Sequence, residues 1–172
     1  MMVRRLTPKD LSAFRALWAD GLMRVPSAFL FSAEEVRAIP NKDVERGLDV
    51  NLTLGVFDDA KRLVGFVSAR RGGPKRMQHM ADIGPLYVRA DAQRQGFGRA
   101  LMEAVLQHLT DAGVRQAELC VDVENTGAQA LYLALGFHIF GRRPRSVLID
   151  GVGRDDYLMI KTLDGADLTR GA

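Results

Sequence analysis

The residues best placed to do chemistry are Gln93-Arg94-Gln95-Gly96-Phe97-Gly98-Arg99-Ala100, between the apolar run Ile83–Val88 and the amphipathic run Gly98–Leu109. Strand, glycine-bearing turn and helix follow one another, an order that leaves unpaired backbone N–H groups at a helix start, where the positive end of the dipole also lies. A phosphate or pyrophosphate binds such a site without a dedicated side chain. Gly96 and Gly98 remove Cβ atoms where an anion would approach the backbone, and Arg94 and Arg99 add positive charge. No Gly-Lys-Ser/Thr follows, which excludes a nucleoside-triphosphate P-loop. The third glycine of a dinucleotide fingerprint is missing, and the turn lies in mid-chain rather than after the first strand.

The chain that must position this turn has 172 residues, with 47% hydrophobic and 26% charged residues. That is the mix of an ordinary folded protein and the size of one domain. No apolar run approaches the ~20 residues needed to span a bilayer. Met1–Leu6 lacks the apolar stretch of a secretory signal, and the simple reading is cytoplasmic. Cys120 is the only cysteine, which excludes an internal disulfide and any cysteine-built metal site; no metal is expected. The net charge of +3 is too small to imply nucleic-acid binding. Two basic clusters, Arg70-Arg71 to Lys75-Arg76 and Arg142-Arg143-Pro144-Arg145, read as solvated loops or as a positive rim that attracts an anion. No aromatic residues interleave them to stack bases.

Hydrophobic spacing and turn residues predict a short strand over Val3–Thr7 and a helix through Leu11, Phe14, Leu17 and Trp18 to about Asp20, with Thr7 or Asp10 as cap. A second helix runs from the capping box Ser32–Glu35 to near Gly47. Strands at Asn51–Phe57 and Arg62–Arg70 form a hairpin around Asp58-Asp59-Ala60-Lys61. Met77–Val88 is a long strand interrupted at Gly84-Pro85, where a bulge or a parting of strands is expected. The third helix follows the glycine turn. Val114–Val123 is a strand, and Asn125–Leu135 a fourth helix stopped by Gly136. Strands over Phe137–Arg143 and Tyr157–Thr162 flank a turn-rich link at Asp150-Gly151-Val152-Gly153, and 164–172 is a polar tail. The fold class is therefore mixed α/β, with a mostly antiparallel sheet of six to seven strands and about four helices.

A second segment, Asn125-Thr126-Gly127-Ala128…Leu131-Tyr132…Leu135-Gly136-Phe137, lies between two predicted strands. With it, the chain resembles the GNAT superfamily of N-acetyltransferases. Gln93, Gly96 and Gly98 match that family's Gln/Arg-x-x-Gly-x-Gly/Ala signature. Leu86-Tyr87-Val88 looks like its preceding strand, the Asn125–Phe137 segment like its second motif, and Asp155–Met159 like its last strand. The likeness covers Met80–Leu163, about half the chain. It implies one acetyltransferase domain over 1–172, with an acceptor-shaping half (about 1–75), an acetyl-CoA-binding half (about 76–163) and a tail. The chain departs from the family in two ways. It lacks a proline after Val88, and it carries Gly84 and Pro85 where many relatives carry polar residues, often a catalytic glutamate.

The resemblance implies an enzyme that moves an acetyl group from acetyl-CoA to a primary amine, of a small molecule or a protein, by direct attack on the thioester. The pyrophosphate would lie on Gln95–Ala100, and the pantetheine arm along Leu86, Tyr87 and Val88. A lysine-like amine must lose a proton first, which costs roughly 4.6 kcal/mol at pH 7 for a pKa near 10.4. By strand alternation Asp82 shares a face with Gly84 and Leu86 and is the first candidate base, or simply an edge-strand charge. Glu118, Asp122 and His79 are alternatives. Tyr132 reads from composition as a core aromatic and from the family as the acid that protonates the departing thiolate. Asn125 is a helix cap by default and, by resemblance, also a partner of the cofactor arm. Trp18, Met23, Phe29 and Phe31 could wall an acceptor site or simply pack. A homodimer is implied by resemblance alone. The rival readings are a coenzyme A-binding sensor without turnover and a transferase for another acyl donor.

Overall fold

Apolar residues spaced for two different periods build the protein, which a computed structural model describes over residues 1–167. The elements run β1 (Met2–Arg5), α1 (Leu11–Arg24), α2 (Ala33–Ala38), α3 (Asn41–Val50), β2 (Leu52–Phe57), β3 (Leu63–Arg70), β4 (Met80–Val88), α4 (Phe97–Asp111), β5 (Gln116–Asp122), α5 (Thr126–Ala134), β6 (His138–Ile149) and β7 (Val152–Thr162). The strands form one mixed sheet in the order β1-β2-β3-β4-β5-β7-β6. Its described pairings are antiparallel except for the parallel β4–β5 pair. The mixed α/β class expected from the sequence holds, with seven strands and five α-helices.

The chain divides into two compact units. The first joins Met1–Ala69 to Gly84–Val105. Its strands pair as Val3 with Val56 and Leu54 with Val67. Phe14 and Leu17 of α1, Val44 and Leu48 of α3, and Phe66 of β3 share one buried cluster with Tyr87 of β4. Each such side chain contributes ~1.5–3 kcal/mol by leaving water. Tyr87 thus packs with the N-terminal helices, and the segment that carries the glycine turn belongs to the same unit.

Capping boxes open the 3-10 turn that leads into α1 and the helix α2. The Thr7 N–H donates to Asp10 Oδ2 at 2.9 Å. The Glu35 N–H donates to Ser32 Oγ at 3.2 Å, and the Ser32 N–H to Glu35 Oε2 at 2.7 Å. The single helix expected from Ser32 to Gly47 is two. Pro40 has no N–H to continue the ladder and forces Ile39 into an extended conformation (ψ 121°), then opens α3. The first helix runs past Asp20 to Arg24 because Gly21 lets it approach the Phe29 ring: a Cβ there would lie 2.6 Å from Phe29 Cζ.

The second unit holds Arg70–Ile83 and the chain from Leu106 on. Residues 117, 119 and 121 of β5 are buried, whereas 116, 118 and 120 are not, the alternation of a one-sided strand. β6 and β7 are longer than the two short strands expected. They meet at Asp150-Gly151, both at positive φ (50° and 80°), a two-residue turn of the Asp-Gly type. Pro144, which argued for ending β6 early, sits in a register shift between Arg143 and Val147, the place a strand tolerates proline. No described helix is long and apolar enough to cross a membrane.

Candidate functional site

The parting expected at Gly84-Pro85 is present. β4 pairs with β5 at Met80–Asp82 and no further. Gly84 has φ 148°, and Pro85 offers no N–H. Beyond this point Leu86 and Val88 are half-buried, and Tyr87 is buried.

After Val88 the chain makes a 3-10 turn at Ala90–Ala92 and a tight turn in which Arg94 and Gly96 have φ 63° and 85°. Two amides brace it: Gln93 Nε2 donates to the Val88 carbonyl at 3.0 Å, and Gln95 Nε2 to the Asp91 carbonyl at 3.2 Å. The Gly96 carbonyl then accepts the Ala100 N–H at 3.0 Å, the first bond of α4. Phe97 is buried and anchors the helix start, while Gln93–Gly96 and Arg99 are exposed. The N–H groups of Phe97, Gly98 and Arg99 have no partner among the described residues. A Cβ on Gly96 would meet nothing within 4 Å, so glycine serves the backbone angle and the space above it is open. Arg94 forms no ion pair among the described residues; Arg99 has only a 3.5 Å contact with exposed Glu103. The turn can hold a doubly charged anion on backbone donors with two guanidinium groups nearby.

Tyr87 has a role that strand alternation did not reveal. Its hydroxyl donates to Asp20 Oδ2 at 2.7 Å, and its ring lies 6.2 Å from that of Phe29. Burial, and then the Asp20 bond, push its phenol pKa up. The same bond, ahead of the Arg24 pair at 2.7 Å, lowers that of Asp20. The Tyr87 side chain is thus taken up by the core of the first unit. Asp20 is 67 residues away, and no periodicity links the two. Phe29 is core and Trp18 packs against the same cluster, whereas Met23 and Phe31 are exposed.

The other candidates lie in the second unit. Asp82 is exposed and stands opposite Glu118; Glu118 is engaged by Gln116 Nε2 at 2.8 Å. His79 is exposed, with Nδ1 3.1 Å from the Arg76 carbonyl. Asp122 is buried in an ion pair with Arg154 at 2.9 Å, which removes it as a free base. Asn125 caps α5: its Oδ1 accepts the Ala128 N–H at 3.1 Å. Tyr132 is buried, with its ring 6.0 Å from that of Phe137. Its hydroxyl has no hydrogen-bond partner among the described residues. Burial raises its pKa, so the phenol keeps its proton at neutral pH and can serve as a donor. Sequence reasoning missed Arg154, whose position in β7 gave no sign of a partner on β5.

Comparison with known proteins bears on this geometry. The model of the acetyltransferase (GNAT) family matches residues 16–137. A mycothiol acetyltransferase of Actinosynnema mirum is 35% identical over 115 residues, covering 65% of this chain and 35% of that protein. The chain thus spans about a third of the length of that relative. An acetyltransferase of the GNAT family from Streptococcus pneumoniae superposes with a TM-score of 0.81 at 25% identity, covering 94% of this chain and 98% of that one. An acetyltransferase from Salmonella typhimurium, solved with its cofactor acetyl-CoA, has a TM-score of 0.84 at 16% identity, covering 100% and 99%.

Proposed function

The chain belongs to the GNAT acetyltransferase family, and from that premise we propose that it transfers an acetyl group from acetyl-CoA to a primary amine. The observation that carries this reading is the exposed turn at Gly96, with three N–H groups that have no partner among the described residues opening α4 beyond the break in β4. These residues fit the donor. The N–H groups from Gln95 to Arg99 would hold its pyrophosphate with Arg94 and Arg99, the Ala100 N–H that the sequence also offered being taken by the Gly96 carbonyl, and the backbone of Leu86–Val88 its amide-rich arm. Gln93 keeps the turn against Val88. When bound, acetyl-CoA supplies an activated thioester.

The chain's own groups manage the protons. Asp82, exposed and with no ion pair among the described residues, is the acceptor of the amine proton, directly or through water. Tyr132, a phenol protonated at neutral pH and pushed further that way by burial, is the donor to the leaving sulfur. Asn125 fixes the start of α5 and, through its amide, can also meet the donor's arm. We read 1–172 as one acetyltransferase domain, with about 1–75 shaping the acceptor side, about 76–163 binding acetyl-CoA and 164–172 a tail, in a cytoplasmic setting. The acceptor is a small-molecule or protein amine.

Thiol release from acetyl-CoA with a panel of primary amines tests the reading. Release that depends on one amine class supports it. Tight coenzyme A binding with no turnover on any amine favours a sensor, the reading that Gly84 and Pro85 support by standing where relatives often carry a glutamate. The same panel with longer acyl thioesters tests the donor, and light scattering tests for a homodimer.

A further inference from the structure

One guanidinium ties the turn between β5 and α5 to β7. Arg154 Nε donates to Asp122 Oδ2 at 3.1 Å, and its Nη2 to Oδ2 at 2.9 Å and Oδ1 at 3.2 Å. The same Nη2 reaches Glu124 Oε2 at 2.6 Å. Asp122 ends β5 and is 5% exposed. Its Oδ1 also accepts the Glu124 N–H at 2.8 Å. Its carbonyl accepts the Asn125 N–H at 2.9 Å and Gln129 Nε2 at 3.0 Å. The turn thus has a side-chain anchor on another strand in addition to its local bonds. An arginine fork on a carboxylate fixes direction as well as distance.

The turn needs little of this to exist. Asp122 can close it through Glu124, and Asn125 caps the helix unaided. Backbone also ties the turn to β7, since the Val123 N–H donates to the Asp155 carbonyl at 3.0 Å and β5 pairs with β7 as far as Asp122 opposite Asp156; Arg154 adds the side-chain contact that fixes the carboxylates of Asp122 and Glu124. Tyr132 follows Asn125 by seven residues on a nine-residue helix, about 10 Å along its axis. A helix this short moves as one body, so a shift at Asn125 is carried to the Tyr132 hydroxyl. Placement of an acid to well under 1 Å matters for proton transfer.

We propose that Arg154 is a positioning residue for acetyl transfer: by clamping Asp122 and Glu124 it sets the start of α5 and so the place of the Tyr132 hydroxyl. The inference rests on Tyr132 acting as proton donor.

Arg154→Met alone takes the guanidinium from a buried carboxylate and can fail to fold. The test therefore uses the double substitution Arg154→Met with Asp122→Asn, and separately Arg154→Lys, which keeps the charge and loses the fork. In the free protein, amide exchange across 126–134 is expected to quicken at least about tenfold in the double variant, with α4 unchanged. With acetyl-CoA and a panel of an aliphatic diamine, amino-acid amides and an alanine-terminated peptide, kcat is expected to fall at least about tenfold while the acetyl-CoA KM stays within about twofold. Arg154→Lys should lie between this and the parent. In a Tyr132→Phe background the Arg154 change should cost nothing more, the non-additivity of two residues acting through one step. Unchanged exchange in α5, or an equal loss in both backgrounds, overturns the inference while leaving Tyr132 as acid. Full activity of Tyr132→Phe alone overturns the reading of Tyr132 itself, and Arg154 then has no acid to place.

Discussion

Gly96 and Tyr132 carry opposite demands on their surroundings. Gly96 must be open: its φ of 85° and the empty space above it suit an anion held by N–H groups. Gly96→Glu places a carboxylate there in a strained backbone, and the acetyl-CoA Kd should rise at least about 100-fold, or ~2.7 kcal/mol, measured by calorimetry. Tyr132 is instead closed off, and burial pushes a phenol that is already protonated at neutral pH further toward its neutral form. Tyr132→Phe should lower kcat by about 10²-fold with little change in KM. An unchanged kcat would return it to packing against Phe137. At Asp82 the outcome turns on pH. Asp82→Asn should lower the rate at pH 7 and recover part of it toward pH 9, where more of the amine is already neutral. Parallel pH profiles for parent and variant would remove Asp82 as the base.

At the scale of elements, β4 serves two neighbours. Its first residues pair with β5, and its last turn one buried side chain toward α1. Tyr87 and Asp20 connect that strand to the helix, with Phe29 alongside. Gly21→Ala drives a methyl into the Phe29 ring and should destabilise the protein by ~1–3 kcal/mol, read as a lower urea midpoint at constant m. Tyr87→Phe should cost ~1–2 kcal/mol by leaving one Asp20 oxygen without its donor.

The glycine turn, the helix start at Thr7–Asp10, the capping box at Ser32, the β2–β3 hairpin and the break at Gly84-Pro85 were legible because each is written in residues within about four positions of one another. The Pro40 break was equally local, yet the surrounding helical spacing of apolar residues hid it. The length of β6 was misjudged because a proline among arginines reads as a loop unless the bulge that houses it is known. Tyr87–Asp20 and Arg154–Asp122 were invisible for a different reason. Each joins residues brought together only by the tertiary fold, a helix against a strand for the first and neighbouring strands for the second, and neither leaves a periodic trace. For the candidate site, motif spacing pointed to the turn and to Tyr132, but it could not tell that the Tyr87 side chain faces the core or that Asp122 is already bound.

For the molecule as a whole, stability and ligand binding are linked. Arg4 holds Asp10 at a pKa of about 2 through a two-point hydrogen bond, at 2.7 and 2.8 Å. A lowered carboxyl pKa stabilises the folded state above the unfolded value near 3.9, and the effect is lost as pH falls toward 2. Arg4 is partly exposed, so Asp10→Asn should cost only about 1 kcal/mol at pH 7. The gap from the parent should close by pH 2 in thermal melts. Acetyl-CoA at 100 times its Kd should raise stability by ~2.7 kcal/mol, an increase that Gly96→Glu should abolish. The account depends most on the backbone donors that open α4. Amide resonances followed during titration with acetyl-CoA, and separately with inorganic pyrophosphate, test them directly. The largest shifts should fall on Gly96, Phe97, Gly98 and Arg99 with both ligands. Saturable binding of acetyl-CoA that leaves those four amides unmoved would contradict it.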